Sequence, residues 1–235
     1  MAAVLLALAG TVALWVVSAT LAVGLAGVLA LASFSSFAPL RWAGEAGTTL
    51  TRGVPTSLLV VVAGIGSTRV APAVQLPVLF PGTPDAFQGV AWAIALALAA
   101  GSAGHLAVIF RAGCVAVGRH RLEQSLVLGM PAFRRLRLLV QEAGRAALPP
   151  TGARLVHHLH NTAFAALFPV AELFGWLEDQ ANATFEVTRY AAICAALYVA
   201  LSGLIWIGCR ALEFDLGLAA SGRRRSRRAL AMAAK

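Results

Sequence analysis

The chain has 235 residues, of which 59% are hydrophobic and 12% charged, with a formal net charge of +9 and a mean hydropathy of +0.79. A water-soluble core of this size cannot absorb so many apolar side chains without exposing them, so the composition excludes a soluble domain and points to an integral membrane protein. The charge suggests nucleic acid at first sight, but the cations lie between apolar segments and in a C-terminal run, the pattern that orients a membrane protein; nucleic acid is not expected as a partner.

Residues 2–32 carry no charge at all, and the first arginine is Arg41. The basic leader of a secretory signal is therefore missing, and the stretch reads as a retained membrane helix over about residues 4–30 with its N-terminus outside; ~20 apolar residues suffice to span hydrocarbon. Residues 33–51 are expected to connect it, on the inside, to a second span at 55–75. That span opens on Arg52-Gly53-Val54-Pro55, an interfacial arginine followed by a proline tolerated in a first helical turn. Gly64, Gly66 and Pro72 make its outer end irregular and place Arg69 near the outer interface.

Pro81 to Gln88 (PGTPDAFQ) is a turn-rich external loop. The third span, 89–110, is dense in Ala and Gly, which suits close helix–helix approach. His105 lies inside it, either as a functional group or as a hydrogen-bonded structural one. A polar island follows at 119–150. One short helical run meets Gly129, and a second starts at Pro131, as expected where one helix must stop and another begin. In the second run Phe133, Leu136, Val140, Ala143 and Ala147 share one face and Arg134, Arg137, Gln141 and Arg145 the other. Pro149-Pro150 is expected to end it. Taken alone, such a helix rests on anionic lipid.

The fourth span, 155–176, is the least apolar: it holds His157, His158, His160, Asn161, Thr162 and Glu172. Polar groups at membrane depth face protein or water, so this segment should line the interior of the bundle. His157 and His160 share a helical face, but no cysteine or carboxylate is spaced to complete a ligand set, and no metal is expected. Glu178, Asp179 and Glu186 form an acidic external loop before the fifth span, 190–212. Residues 213–235 are a basic cytoplasmic tail with the run Arg223 to Arg228, whose default contact is anionic lipid. This topology puts Arg41, Arg52, the 119–150 loop and the tail inside, and Asp85, Glu178, Asp179 and Glu186 outside, as the positive-inside rule requires. Cys114, Cys194 and Cys209 form no CxxC pair and read as packing residues.

Several motifs together carry a resemblance. Glu123-Gln124-Ser125, Gly129, Phe133 and Gln141-Glu142-Ala143 through Leu148-Pro149-Pro150 resemble the EAA loop of ABC-transporter permeases, most closely those of the polar amino-acid (histidine/glutamine-type) subfamily. Arg52-Gly53-Val54-Pro55 is similar to that family's Arg-Gly-Thr-Pro, Phe110-Arg111-Ala112-Gly113 to the stretch before its loop, and Val170-Ala171-Glu172-Leu173 to its Val-Ala-Glu-Leu. The triplet is degenerate at Gln124 and Ser125. His105 and Val108 stand where the family has Tyr and Glu, and His160-Asn161 where it has Lys-Asp. The resemblance covers about residues 52–212 and implies a single permease domain, 1–212, of the type I importer fold: all-α, five membrane helices, with the loop at 119–150 as a cytoplasmic coupling loop in the bacterial inner membrane. It implies ATPase-coupling roles for Glu123, Ser125, Gly129, Met130 and Phe133. It also implies a translocation pathway at Arg52, His105, His157, His160, Asn161, Thr162 and Glu172. The partners implied are a cytoplasmic ABC ATPase dimer that binds ATP and magnesium, a second permease chain and an external solute-binding protein; no cofactor and no catalytic residue is expected in this chain.

No phosphate-cradling GxxxxGK[ST], HExxH or GxSxG motif is present. The rival reading is a stand-alone channel or scaffold whose basic loop binds anionic lipid. Gly129 separates the two, because a lipid-lying helix gains nothing from a break there. An uncompensated charge in the membrane costs at least about 2.5 kcal/mol, and the drawn spans hold Glu172 as their one interior carboxylate. A neutral or acidic amino-acid cargo is therefore expected over arginine or lysine.

Overall fold

The structure, a computed structural model, describes residues 2–68 and 77–215; the expectations placed on Arg69, Pro72 and the arginine-rich tail fall outside them. Among the described residues there is helix and no strand, as expected. The helices are α1 (Ala2–Ser33), α2 (Ala38–Gly53), α3 (Thr56–Ser67), α4 (Gln88–Ala116), α5 (Arg119–Val127), α6 (Ala132–Asn161), α7 (Leu173–Thr184) and α8 (Val187–Asp215), with 3-10 turns at Asp85–Phe87 and Thr162–Leu167. Among them α1, α4 with its preceding turn, and α8 are long and apolar enough to cross a membrane. The α2–α3 pair, bent by 93°, makes a fourth if it is counted as one broken span.

Four expectations about the helices are corrected. Residues 33–51 are not a plain connection, because α2 fills most of the segment. Its protein-facing positions are Gly44, Gly47, Thr48 and Thr51, a helical pattern written in small residues that apolar periodicity does not pick up. The segment 155–176 is not one helix. The α-helix ends at Asn161, a 3-10 turn follows, and Phe168 is extended (φ −131°, ψ 162°), as the residue before a proline must be. A new helix then starts at Leu173, and it takes in Glu178 and Asp179, which were expected in a loop. Pro149 and Pro150 do not end a helix; α6 passes through both. Both prolines are exposed, so solvent can take the carbonyls of Arg145 and Ala146 that lose an N–H partner.

The described residues divide into two compact units, those up to Val108 with Arg154–Ser202, and Ile109–Ala153 with 203–215. In the first, α4 is the central element. Val90, Ala91, Ile94, Ala95 and Leu98 pack with Leu14 of α1, Val60 of α3, Phe80, Ala165 and Val170. The small residues of α4 allow the close approach expected of them: a Cβ on Gly101 would meet Thr56, and one on Gly104 would meet Thr51 and Arg52. A second cluster joins Ala7 of α1, Leu173 of α7 and Cys194 of α8. In the other unit, Gly113 lies against the α6 backbone at Ala143 and the methyl of Ala147. These alanines are buried while Phe133, Leu136 and Val140 of the same helix are exposed.

Within α1 two glycines make opposite predictions. A Cβ on Gly10 would fall on the carbonyl of Ala171, whereas one on Gly24 meets nothing within 4 Å. Gly10→Leu should therefore destabilise the protein by about 1–3 kcal/mol or more, since backbone cannot give way as a side-chain tip can; Gly24→Leu should leave stability unchanged. Thermal unfolding in detergent reads the difference, and equal midpoints for the two variants would contradict this packing.

Candidate functional site

The most buried histidine is not one of the two singled out on the shared face. His158 is 0% exposed, and both ring nitrogens are taken: Nε2 lies 2.8 Å from Ser18 Oγ and Nδ1 2.7 Å from Ser102 Oγ. The surrounding hydrogen bonds assign the tautomer. Ser18 donates its hydroxyl to the carbonyl of Leu14 at 2.6 Å, so toward the imidazole it accepts, and Nε2 carries the proton. Nδ1 then accepts from Ser102, whose oxygen accepts in turn from Arg154 Nη2 at 3.3 Å. The same nitrogen donates to the carbonyl of Gly101 at 3.2 Å. The result is a directional chain, Arg154 to Ser102 to His158 to Ser18 to Leu14, in which every hydroxyl donates once. It joins α4, α6 and α1, and Trp15 Nε1 adds a bond to the carbonyl of Leu155 at 3.1 Å. Sequence reading passed over Ser18 and Ser102 because a serine in an apolar helix ordinarily bonds its own preceding turn and signals nothing.

The expected pathway residues separate into two groups. His157 and His160 are exposed, as is Arg52, and His105 is half-buried. His160 Nε2 lies 3.1 Å from Ser202 Oγ, and its ring stands edge-on to Tyr198. Asn161 and Thr162 are buried, and Thr162 donates to the carbonyl of Leu159 at 2.7 Å. His158 and His160 thus have separate partners, and no group of three or more ligating side chains converges among the described residues.

Glu172 is buried at 1% exposure and caps α7. Its Oε2 accepts from the backbone N–H of Phe174 at 2.8 Å and from Tyr198 Oη at 3.2 Å, and its Oε1 accepts from the N–H of Gly175. A carboxylate here satisfies two of the orphan donors that every helix N-terminus exposes. The extended segment before it is held in the same manner. Ala171 N–H donates to Thr83 Oγ1 at 3.0 Å, and Leu173 N–H to Thr11 Oγ1 at 2.9 Å. Thr83 itself sits in a turn held by Gln88, whose amide donates to the carbonyls of Phe80 and Thr83 at 3.0 and 2.9 Å. Beside this segment opens a cavity of about 410 Å³, lined by Leu6, Gly82, Phe168, Glu172 and Trp176 among others, with Glu178 and Asp179 also on its wall.

The third feature is the break between α5 and α6. Gly129 has φ +64°. Its N–H donates to Leu126 O at 2.9 Å, and the Met130 N–H reaches back to Ser125 O at 3.0 Å. These are the two bonds of a Schellman stop, with glycine in the left-handed position as the sequence predicts. Ser125 is buried and Glu123 exposed. Around the break Leu126, Val127, Leu128, Met130 and Phe133 are all exposed, Val127 to 88% and Phe133 to 76%. An exposed apolar cluster of this kind marks a surface for contact with protein or membrane.

No family model matches the chain. It is 26% identical over 210 residues to the arginine transport system permease protein ArtQ of Bacillus subtilis (strain 168), covering 89% of this chain and 90% of that one. It is 28% identical over 204 residues to the arginine ABC transporter permease protein ArtQ of Escherichia coli (strain K12), covering 82% and 85%. A 30% identical match to the arginine transport system permease protein ArgU of Corynebacterium glutamicum covers 50% of this chain and spans only 38% of that protein. Among solved structures, an amino acid ABC transporter with histidines shares the fold at a TM-score of 0.71 and 22% identity, over 87% of this chain and 90% of that one.

The buried hydrogen-bond chain makes its own prediction. Ser18→Ala leaves His158 Nε2–H without an acceptor and should cost roughly 1–2 kcal/mol. Adding His158→Phe removes the orphaned donor, so the double variant should be less destabilised than the sum of the single ones. Unfolding in mixed detergent micelles measures the cycle; strict additivity would show that the two side chains are not bonded.

Proposed function

We infer that this chain is the permease subunit of an amino-acid importer of the ABC-transporter class, a multi-pass protein of the bacterial inner membrane that carries no chemistry of its own. The observation that carries the reading is the agreement of two permeases of that class with this chain over 82–89% of its length, with the membrane-helical fold beneath it. Nothing in the relatives or the fold favours the stand-alone channel.

The partners and their docking are proposals that go further. ATP hydrolysis belongs to a separate cytoplasmic ATPase pair, and the break around Gly129 is where that pair docks, with Glu123, Met130 and Phe133 exposed on the surface and Ser125 buried beneath it. A second permease chain completes the pathway and a solute-binding protein delivers the cargo from outside. ATP-driven changes at the docking surface bias the membrane helices between two arrangements, which is all that alternating access requires. His157 and His160, exposed on one face of α6, are offered to the pathway together with Asn161, Thr162, His105 and Arg52. Glu172, with both oxygens engaged at the α7 terminus, shapes the outer cavity and is not the main cargo contact.

One interior carboxylate argued for a neutral or acidic amino acid, but Glu178 and Asp179 share the cavity wall with Glu172, and the relatives are named for arginine. We therefore propose a cationic amino acid. Competition uptake in reconstituted vesicles should show arginine and lysine displacing labelled cargo more strongly than glutamine or glutamate; the opposite order would return the cargo to the neutral class.

Docking is tested at Gly129 itself. A Cβ there meets no neighbouring atom, so the backbone alone objects, at roughly 1–2 kcal/mol for a residue forced to positive φ. Gly129→Val should insert and fold yet lose ATPase stimulation and uptake, whereas Gly129→Asn, which tolerates the left-handed region, should retain most of both. Wild-type coupling in the valine variant would remove the docking assignment.

A further inference from the structure

The helix that the sequence hides, α2, presents three faces rather than two. At ~100° per residue, Gly44, Gly47, Thr48 and Thr51 fall together, and this face is closed against protein: a Cβ on Gly44 would meet Ser33 and Ala32, and one on Gly47 would meet Leu29. Arg41, Glu45, Thr49 and Arg52 form a second, charged and exposed face. The third holds Trp42 and Leu50, exposed to 73% and 67%. A helix at a plain protein–water boundary has no use for the third face.

The occupant follows from what precedes and follows it in the chain. Large exposed apolar residues run from Val28 and Leu31 at the end of α1 through Phe34 and Phe37 to Trp42. On α1, a helix of membrane-spanning length, such residues are met by lipid. The 93° bend at Val54 turns α2 across the direction of α3, so if α3 runs through the bilayer α2 lies along its surface. Tryptophan is the side chain that favours that depth, with its ring in the apolar boundary and its N–H toward the headgroups, and flanking arginines reach the phosphates. We propose that α2 is an interfacial helix whose Trp42–Leu50 face is covered by the glycerol–acyl boundary of the bilayer, while Arg41 faces the headgroups. The proposal rests on the membrane assignment of the chain but on neither the docking nor the cargo reading.

Site-directed spin labels placed singly at positions 41 to 52, in a background with Cys114, Cys194 and Cys209 replaced, test it in phosphatidylethanolamine–phosphatidylglycerol vesicles. Labels at 42 and 50 should be several-fold more accessible to oxygen than to an aqueous nickel chelate, and those at 45 and 49 the reverse. Those at 44 and 48 should be protected from both. Val28 and Leu31 serve as the lipid reference: oxygen accessibility there and protection from both reagents at 42 and 50 means a protein partner covers the face and overturns the proposal alone. Nickel access at 42 and 50 also overturns it, by placing the face in water. Loss of oxygen access at 28 and 31 as well would overturn the membrane reading beneath it. Should the cysteine replacements prevent folding, the unaltered chain can be irradiated with a phospholipid bearing a diazirine near the glycerol; adducts on the peptide containing Trp42 support the proposal, and adducts on α1 without any on α2 contradict it.

Discussion

In the first unit one imidazole, satisfied on both sides, ties three helices together. A polar group in hydrocarbon has no water to fall back on, so each donor and acceptor must find its partner inside the protein. His158 meets that demand with two serines from two other helices, and each serine passes the demand on, one to a backbone carbonyl of α1 and the other to Arg154. The chain has direction: reversing one hydroxyl would leave two donors facing each other. Three helices that apolar packing alone would let slide are thereby fixed in one register, and the exposed faces of α6 that carry His157 and His160 are fixed with them.

The same constraint explains why the chain tolerates irregular backbone beside its cavity. Between the 3-10 turn and α7 the backbone is neither helix nor strand, yet Ala171 there, and Leu173, Phe174 and Gly175 in the first turn of α7, each donate to a named side-chain oxygen. Thr11, Thr83 and Glu172 supply those acceptors, and Gln88 holds the turn that carries Thr83. The Ala171-Glu172-Leu173 string is thus a helix cap first, and its carboxylate residue also helps to wall the cavity.

How much of this was legible depended on which residue types carried the signal. The long apolar spans and the stop at Gly129 are written in residues with one physical meaning, hydrocarbon length and positive φ. The EAA-like loop and the Arg52-Gly53-Val54-Pro55 opening rest instead on resemblance to a known family. Pro149-Pro150 misled because a proline's cost depends on whether its orphaned carbonyls reach solvent, which a sequence does not state. The break at Phe168-Pro169 was in plain view but outweighed by the surrounding apolar run. α2 escaped because glycine and threonine make its packed face, and the Ser18–His158–Ser102 contact escaped because its members lie 140 and 56 positions apart in the chain.

The central claim is that the apolar cluster around the α5–α6 break receives an ATPase and not a lipid surface. Incorporation of a photoreactive benzoyl-phenylalanine in place of Val127, followed by irradiation of intact cells and mass spectrometry of the adduct, measures that directly. The account predicts a cross-link to a chain bearing a phosphate-cradling GxxxxGK[ST] loop; recovery of phospholipid adducts alone, with the protein folded and in the membrane, would contradict it.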